Sequence, residues 1–334
     1  MENPSLPVSV LAAGEALIDL VEQPDGSFRA HAGGAVYNLA RALALQGTGT
    51  AYLNRLSADR FGRQLAEGLQ GAGVEQADAE PVREPTSLAT VQLDAQGKPA
   101  YSFYREGIAD RVGDADALIA AMRRYPTLRV VSTGGLALAP EDSRRYLPWL
   151  QHCRNEGLLV VVDANLRPSI ASSLAAYRAS VRAALALADV VQVSDEDLAV
   201  LLPELSDPVQ AANTLFSLGH ANLIALTRGA EGATLITRDG RSWHARETAP
   251  LQIVDTVGAG DCFLAGLLSD IVADGAVAHE ALSAQAAKRR LARAIASASL
   301  CVQRAGCQPP TAAEVREWMV RGTIAVEAAE HVLP

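Results

Sequence analysis

The sequence lacks the features that mark secreted and membrane proteins. It has four cysteines, without a C-x-x-C pair and without a cysteine and histidine spacing typical of a metal site. We therefore expect buried or free thiols in a reducing cytoplasm. No uncharged apolar run reaches about eighteen residues, and the N-terminus lacks a basic stretch followed by an apolar core. These absences argue against membrane insertion and against a signal peptide.

Clustered positive charge is also scarce. The 29 Lys and Arg residues are outnumbered by 38 Asp and Glu, the formal net charge is −9, and the one tight basic cluster is 288–290. Nucleic acids and anionic membranes are bound through clustered Lys and Arg, so neither is expected as the main partner. With 334 residues and 49% hydrophobic content, the chain can form one large α/β unit with an insertion.

Short β-rich segments alternate with Ala- and Leu-rich helical segments, which indicates a mostly parallel sheet with helices on both faces. The strands are continuously apolar, as a sheet covered on both faces requires. The predicted strands are 8–12, 51–54, 129–133, 158–163, 190–193, 223–227 and 233–236. The predicted helices are 36–45, 63–71, 141–155, 174–187, 209–218, 261–273, 279–301 and 312–321.

Two stretches depart from this alternation. Residues of about 20–32 and 86–107 alternate polar and apolar side chains, with turn signals at 24–26 and 94–97. This pattern is typical of exposed antiparallel hairpins. We expect the two stretches to form one discontinuous lid, and the alternative is a pair of surface hairpins without motion.

Residues 255–261, with the sequence Asp-Thr-Val-Gly-Ala-Gly-Asp, combine an anion cradle with a candidate base. A turn of small residues at a helix start leaves backbone N–H groups free to bind phosphate oxygens. Gly258, Ala259 and Gly260 are the predicted cradle, and the carboxylate of Asp261 follows in the first helical turn. The alternative is an ordinary strand-to-helix turn with Asp as its N-cap.

A second motif lies more than two hundred residues upstream, where residues 32–40 read Ala-Gly-Gly-Ala-Val-Tyr-Asn-Leu-Ala. The glycines Gly33 and Gly34 allow a sugar to approach the backbone, and the amide of Asn38 can both donate to and accept from a hydroxyl. Taken alone, this motif could equally be a glycine-capped helix start.

Together the two motifs resemble the signatures of the ribokinase-like (PfkB) carbohydrate kinases, G-G-x-x-x-N-x-A and D-T-x-G-A-G-D. The resemblance extends over about 8–315. It implies a single kinase domain over 1–334, with a three-layer α/β/α fold, a mostly parallel central sheet and a small β-sheet lid that often contributes to a homodimer. The implied reaction is phosphoryl transfer from Mg·ATP to a sugar hydroxyl, with Asp261 as the catalytic base and 258–260 as the anion hole.

The resemblance also implies roles for residues elsewhere in the chain. The implied sugar ligands are Asp19, Gly33, Gly34, Asn38, Tyr104, Arg105 and Arg167. The implied nucleotide-binding residues are Thr227, Gly229, Gly232 and Thr256. Many relatives organise magnesium through water with an N-x-x-E segment, and this chain has Ser-Asp-Glu-Asp at 194–197, which assigns Asp197 to Mg²⁺. Asp255, with the carbonyl of Val257, corresponds to a monovalent-cation (K⁺) site in some relatives.

The substrate is less well defined than the family. Segments 103–105 (Phe-Tyr-Arg) and 163–167 (Asp-Ala-Asn-Leu-Arg) resemble segments of fructokinases and of 2-keto-3-deoxygluconate kinases. A guanidinium can hold sugar hydroxyls, a carboxylate or a phosphate, or can simply form a surface ion pair. We expect fructose first and 2-keto-3-deoxygluconate second.

Two further classes of function are disfavoured. A non-catalytic sugar-binding or regulatory protein would not need a base beside a phosphate cradle. A dinucleotide-dependent dehydrogenase would carry G-x-G-x-x-G after the first strand, and none follows it.

Overall fold

A large twisted sheet passes through the centre of the molecule. The computed structural model describes residues 6–23, 25–93, 99–275 and 282–329. The strands are β1 (Val10–Ala12), β2 (Leu17–Glu22), β3 (Phe28–Gly33), β4 (Thr50–Tyr52), β5 (Glu75–Gln76), β6 (Ser87–Leu93), β7 (Pro99–Tyr104), β8 (Val130–Gly134), β9 (Leu159–Asp163), β10 (Val190–Ser194), β11 (Leu223–Thr227), β12 (Ala233–Thr237), β13 (Ser242–Glu247) and β14 (Ile324–Ala329). The helices are α1 (Ala35–Leu45), α2 (Arg60–Ala72), α3 (Ala115–Met122), α4 (Ser143–Asn155), α5 (Leu174–Leu187), α6 (Asp195–Leu201), α7 (Pro208–Thr214), α8 (Ala259–Ala273), α9 (Ala284–Cys301) and α10 (Ala312–Val320).

In the described part of the chain, the central sheet has ten strands in the order β14-β13-β12-β11-β10-β9-β8-β1-β4-β5. The pairings from β5 to β11 are all parallel, and those from β11 to β14 are antiparallel. The prediction of a mostly parallel sheet is confirmed.

Helices cover both faces of this sheet. Successive side chains of a strand point to opposite faces, and β9 shows the result. Val160 and Val162 pack in a cluster with residues of α3 to α7, whereas Leu159 and Val161 pack with α1, α8 and α9. The continuous apolar character of the strands therefore reflects burial on both sides.

The two polar/apolar stretches form a second, four-stranded sheet in the order β3-β2-β6-β7. It consists of two antiparallel hairpins, β2–β3 and β6–β7, joined by parallel pairing of β2 with β6. The small separate sheet that the sequence predicted is thus present. The predicted turn at 94–97 lies outside the described residues, as does Pro24 of the first turn.

The prediction was wrong at the C-terminal end of the chain, where it closed the domain with two helices. Strand β14 follows α10 and pairs with β13, and neither strand was predicted. The short elements β5, α3 and α6 were missed as well. The predicted helix 279–301 corresponds to α9, whose cap is Ser283, and 276–281 lie outside the described residues. None of the described helices has the length and apolar character to cross a membrane.

Helix α8 is the buried centre of one helical layer. All its residues from 261 to 271 are buried, and it packs between α1 and α9. A helix that is apolar on all sides needs neighbours on all sides. The contact with α9 is close because of Gly266, where an added Cβ would lie 2.8 Å from both the Cα of Ala294 and the carbonyl oxygen of Arg293.

We expect Gly266→Ala to destabilise the fold by about 1–3 kcal/mol, because α8 and α9 must separate to admit the methyl group. The matched control is Gly71→Ala in α2, where an added Cβ meets nothing within 4 Å. There the better helix propensity of Ala should stabilise the protein by up to about 1 kcal/mol. Urea unfolding curves with equal slopes measure both changes. Equal effects at the two glycines would contradict the proposed close contact.

Candidate active site

Polar residues lie along the carboxyl edge of the parallel strands. Asp163 ends β9, Ser194 ends β10 and Thr227 ends β11, while Glu15 follows β1 by a few residues. The carboxyl ends of parallel strands in an open α/β sheet form the crevice where ligands bind. This edge is therefore the candidate active site.

The two sequence motifs meet there through one hydrogen bond. The side-chain amide of Asn38 donates from Nδ2 to Oδ2 of Asp261 at 2.9 Å, and both side chains are buried. Asp261 lies in the first turn of α8, which begins after Gly258 with its φ of 79°. The bond joins residues 223 positions apart in the sequence. Within the described residues, Oδ1 of Asn38 has no hydrogen-bond partner.

The residues of the predicted anion cradle lie at the start of α8. The amides of Gly260 and Asp261 lie in the first turn, where no earlier carbonyl of the helix can pair with them. The amide of Ala259 donates to the carbonyl of Thr256 at 3.2 Å. The carbonyl of Gly260 accepts from Nε2 of Gln192 at 3.1 Å, which fixes this turn against β10.

Buried carboxyl groups are concentrated at this edge. Burial raises the pKa of Asp261 well above its usual value, the charge of Asp163 raises it further, and the hydrogen bond from Asn38 opposes the shift. Burial and the charge of Asp197 raise the pKa of Asp163 to about 7. Negative charge is costly in this site, which favours a proton, a cation or an arginine beside it.

The glycine pair is required by close packing around it. An added Cβ at Gly33 would lie 2.3 Å from Oδ2 of Asp19, and one at Gly34, where φ is 106°, would lie 2.7 Å from the carbonyl oxygen of Glu15. Asp19 comes from β2 of the small sheet, and burial raises its pKa to about 6 against the opposing charge of Arg167. The glycines thus let a carboxylate of the small sheet lie directly over the start of α1.

The two arginines lie in different surroundings. The guanidinium of Arg105 is 9% exposed and donates from Nη1 to the carbonyl of Leu136 at 3.1 Å and to Oδ2 of Asp142 at 3.3 Å. Its ion pair is buried, not on the surface. Arg167 is half-buried, and its charge lowers the pKa of both Asp163 and Asp261. Tyr104 is 60% exposed and is not buried with them.

Sequence reasoning missed two buried acids beside Arg105. Oε1 of Glu15 accepts the amide of Ala35 at 3.0 Å, whereas Oε2 is unpartnered within the described ranges. Both carboxylate oxygens of Asp110 lack partners in the same residues. Burial raises the pKa of Glu15 to about 7 and also raises the pKa of Asp110, and Arg105 opposes both shifts. The available signal for Glu15 was an acid just after a strand.

The predicted nucleotide-binding residues come from the end of β11, the turn after it and the turn before α8. Thr227 ends β11, and Gly229, with a φ of 51°, has open space beside its Cα. Gly232 has a structural reason of its own, because an added Cβ would lie 2.1 Å from the carbonyl oxygen of Ala245 in β13. Thr256 is exposed in the turn before α8.

The two predicted metal residues both accept backbone hydrogen bonds. Oδ1 of Asp197 accepts the amide of Leu166 at 2.7 Å, and Oδ2 accepts the amide of Ser194 at 2.9 Å. Oδ1 of Asp255 accepts from Val257 at 3.0 Å, and Oδ2 accepts from Gly306 at 2.9 Å. Each carboxylate oxygen keeps a second lone pair for water or an ion.

Comparison with known proteins gives consistent matches. The profile of the pfkB family carbohydrate kinases matches residues 8–314. The chain is 31% identical over 275 residues to a fructokinase of Rhizobium leguminosarum bv. trifolii, which covers 79% of this chain and 80% of that protein. The crystal structure of an ATP-bound fructokinase from Xylella fastidiosa matches with a TM-score of 0.80 and 25% identity, covering 95% of this chain and 99% of that one. A double mutant of the Vibrio cholerae O395 fructokinase, bound to fructose, ADP and potassium, matches with a TM-score of 0.78 and 24% identity over 95% of this chain and 100% of that one.

The raised pKa of Asp163 predicts how stability depends on pH. The pKa is about 7 in the folded protein against an ordinary value of 3.8, so the folded state holds a proton that the unfolded chain releases. Stability is therefore lost as pH rises from about 4 through about 7. We expect the free energy of unfolding of Asp163→Asn to rise by about 1–3 kcal/mol relative to that of the wild type between pH 5 and pH 8.

Urea unfolding at the two pH values measures this difference. The control is Asp239→Asn, because Asp239 has a pKa lowered to about 2 by hydrogen bonds from Arg241 and Thr237 and is ionised at both pH values. Its effect should not change between them. An equally constant effect at Asp163 would refute the predicted protonation.

Proposed function

The chain belongs to the pfkB family of carbohydrate kinases, and we propose that it is a fructokinase that transfers the γ-phosphoryl group of Mg·ATP to a hydroxyl of fructose. The observation that carries this proposal is the Asn38–Asp261 hydrogen bond of 2.9 Å, which holds a buried carboxylate in the first turn of α8. A base is thereby fixed beside a helix N-terminus that attracts phosphate oxygens.

In the proposed mechanism, Asp261 accepts the proton of the attacking hydroxyl. The amides at the start of α8, in the cradle of Gly258, Ala259 and Gly260, stabilise charge on the transferred phosphoryl oxygens. Because burial raises the pKa of Asp261, this carboxyl is a stronger base than an exposed aspartate. Asn38 donates to the carboxylate and so fixes its orientation.

The residues present fit a divalent cation bound with ATP. The charge of Asp197 raises the pKa of Asp163, and the charge of Asp163 raises the pKa of Asp261, so Asp163 lies near both acids. Hard oxygen ligands suit Mg²⁺. We assign Asp197 to Mg²⁺ through water, and Mg²⁺ supplies neutralisation of phosphate charge when bound. We assign Asp255 and the carbonyl of Val257 to K⁺, an ion that the Vibrio cholerae relative binds.

We also propose which residues contact ATP and the sugar. Those for ATP are Thr227, Gly229, Gly232 and Thr256, and the ATP-bound relative from Xylella fastidiosa supports the choice of nucleotide. Those for the sugar are Asp19, Gly33, Gly34, Asn38, Tyr104, Arg105 and Arg167. Gly232 packs closely against β13. As a glycine, it would contact ATP through its backbone.

A neutral sugar suits this site better than a keto acid. Arg105 already faces the charges of Asp142, Asp110 and Glu15, and Arg167 faces Asp19. A substrate carboxylate would compete with these acids and would add negative charge to a site that already holds several carboxyl groups. Fructose is therefore preferred to 2-keto-3-deoxygluconate.

The small sheet is proposed as a lid, formed by about 20–32 and 86–107 within a single domain spanning 1–334. Two residues proposed for the sugar site, Asp19 and Arg105, lie in or directly after its strands. Closure would exclude water, which otherwise competes with the sugar as nucleophile. The exposed Phe28 and Tyr104 on this sheet, at 48% and 60% exposure, support contact with a second copy in a homodimer. The four free cysteines agree with the proposed cytoplasmic location.

The substrate assignment is tested with a coupled ADP-release assay. With Mg·ATP, we expect the highest kcat/KM for fructose in a panel that also contains 2-keto-3-deoxygluconate, ribose, adenosine and a blank. Preference for the keto acid would reassign Arg105 and Arg167 as carboxylate ligands. Bound ATP without turnover on any sugar would favour the non-catalytic alternative.

The proposed base is tested with Asp261→Asn, which should lower kcat by about 10² or more because the amide cannot accept the proton. ATP affinity should change little. The matched control is Asp270→Asn on the same helix, a buried aspartate paired with Arg289 at 3.0 Å. Its kcat should stay near that of the wild type. Full activity in Asp261→Asn would exclude Asp261 as the base.

A further inference from the structure

Three cysteines from separate segments meet next to the turn that begins α8. Cys262 lies in the first turn of α8, Cys301 ends α9, and Cys307 lies in the loop that leads to α10. Their sulfur atoms all lie within 4.8 Å of one another. None of the three forms a disulfide. The sequence shows no metal-binding spacing because the three residues become neighbours only in the fold.

The backbone around the three sulfurs is firmly held. The amides of Val254 and Asp255 donate to the carbonyl of Val302 at 2.8 and 3.2 Å, and the amide of Gly306 donates to Asp255 at 2.9 Å. These bonds join the loop before α8 to the loop after α9. These hydrogen bonds therefore help to position the sulfurs.

Gly258 allows the sulfur of Cys307 to lie against the turn that begins α8. An added Cβ at Gly258 would lie 2.2 Å from the sulfur of Cys307, so a larger residue there would displace this thiol. The sulfur of Cys301 lies 3.6 Å from the carbonyl oxygen of Val257. Gly258 and Val257, which both contact the cysteine cluster, thus belong to the turn that leads into α8.

The chemistry of the cluster suits a soft cation. Bonds of about 2.3 Å from Zn²⁺ to thiolate place tetrahedral sulfurs roughly 3.8 Å apart. Sulfurs within 4.8 Å of one another can therefore close on one ion with shifts below about 1 Å. Hard ions such as Mg²⁺ and K⁺ prefer oxygen ligands and would not compete here.

We propose that Cys262, Cys301 and Cys307 bind one soft metal cation of the Zn²⁺ class. Asp197, which is assigned to Mg²⁺, is not part of this site, whereas the carbonyl of Val257, which is assigned to K⁺, adjoins it. A disulfide would use only two of the three sulfurs, whereas an ion uses all three. Binding displaces the thiol protons and links the start of α8, the end of α9 and the loop after it. Occupation of the site therefore stabilises the fold.

The test is a titration of the reduced, full-length protein with Cd²⁺ alone, a spectroscopic substitute for Zn²⁺. We expect thiolate-to-metal absorbance that saturates at one ion per chain, together with a higher Tm. Cys262→Ser, Cys301→Ser and Cys307→Ser should each weaken binding at least about tenfold. The matched control is Cys153→Ser, because Cys153 is a fully buried thiol in the other core cluster. It should bind Cd²⁺ as the wild type does.

The wild-type protein provides a second test that does not depend on how the variants fold. Cys307 is 8% exposed, whereas Cys262 and Cys301 are fully buried, so Cd²⁺ should protect Cys307 from alkylation. Absence of saturable absorbance, unchanged binding in a folded Cys307→Ser variant, or loss of binding in Cys153→Ser would overturn the proposal. The proposal would also be overturned if the reduced protein did not bind Cd²⁺ and peroxide oxidised two of these thiols. None of these measurements needs a sugar or ATP, so failure here leaves the proposed kinase activity untouched.

Discussion

The hydrogen bond between Asn38 and Asp261 connects the features on which the site depends. It joins α1 to α8 and satisfies one oxygen of a carboxylate that is buried near two other acids, Asp163 and Glu15. A buried charge persists only where neighbouring groups stabilise it. The double glycine before α1 and the turn that begins α8 place the two helices and the small sheet within reach of this bond.

Much of the fold could be predicted because its signals are local. Strands β9 and β11 are mostly apolar, and α5, which follows β9, is long and rich in Ala and Leu. Strands β13 and β14 were missed because their pairing is long-range: residues 242–247 are mixed in polarity, and Ile324–Ala329 carries alanines and a glutamate that favour helix when read alone. Their tertiary partners, not their own propensities, decide their conformation.

The candidate site also contains residues that could be predicted from the sequence and residues that could not. The residues of the two motifs could be proposed from anion-binding chemistry and from family resemblance, since each motif is contiguous. The roles of Glu15, Asp110 and Gln192 were not predicted, because their neighbours come from other segments. Gly232 belongs to a turn that resembles a nucleotide-binding motif. The close approach of β13 also requires a glycine there, which the sequence alone does not reveal. Contacts between distant segments are what a single sequence conceals.

The order in which the site residues occur along the chain affects synthesis on the ribosome. Asn38 emerges early but meets its partner only after 223 further residues, and the turn at Gly258 packs against Cys307 near the C-terminus. Domains fold as units during translation, so Asn38 remains without its partner until most of the chain has been synthesised. A truncated product ending before residue 307 lacks the packing of Cys307 against the turn at Gly258, and with it a contact that shapes the start of α8.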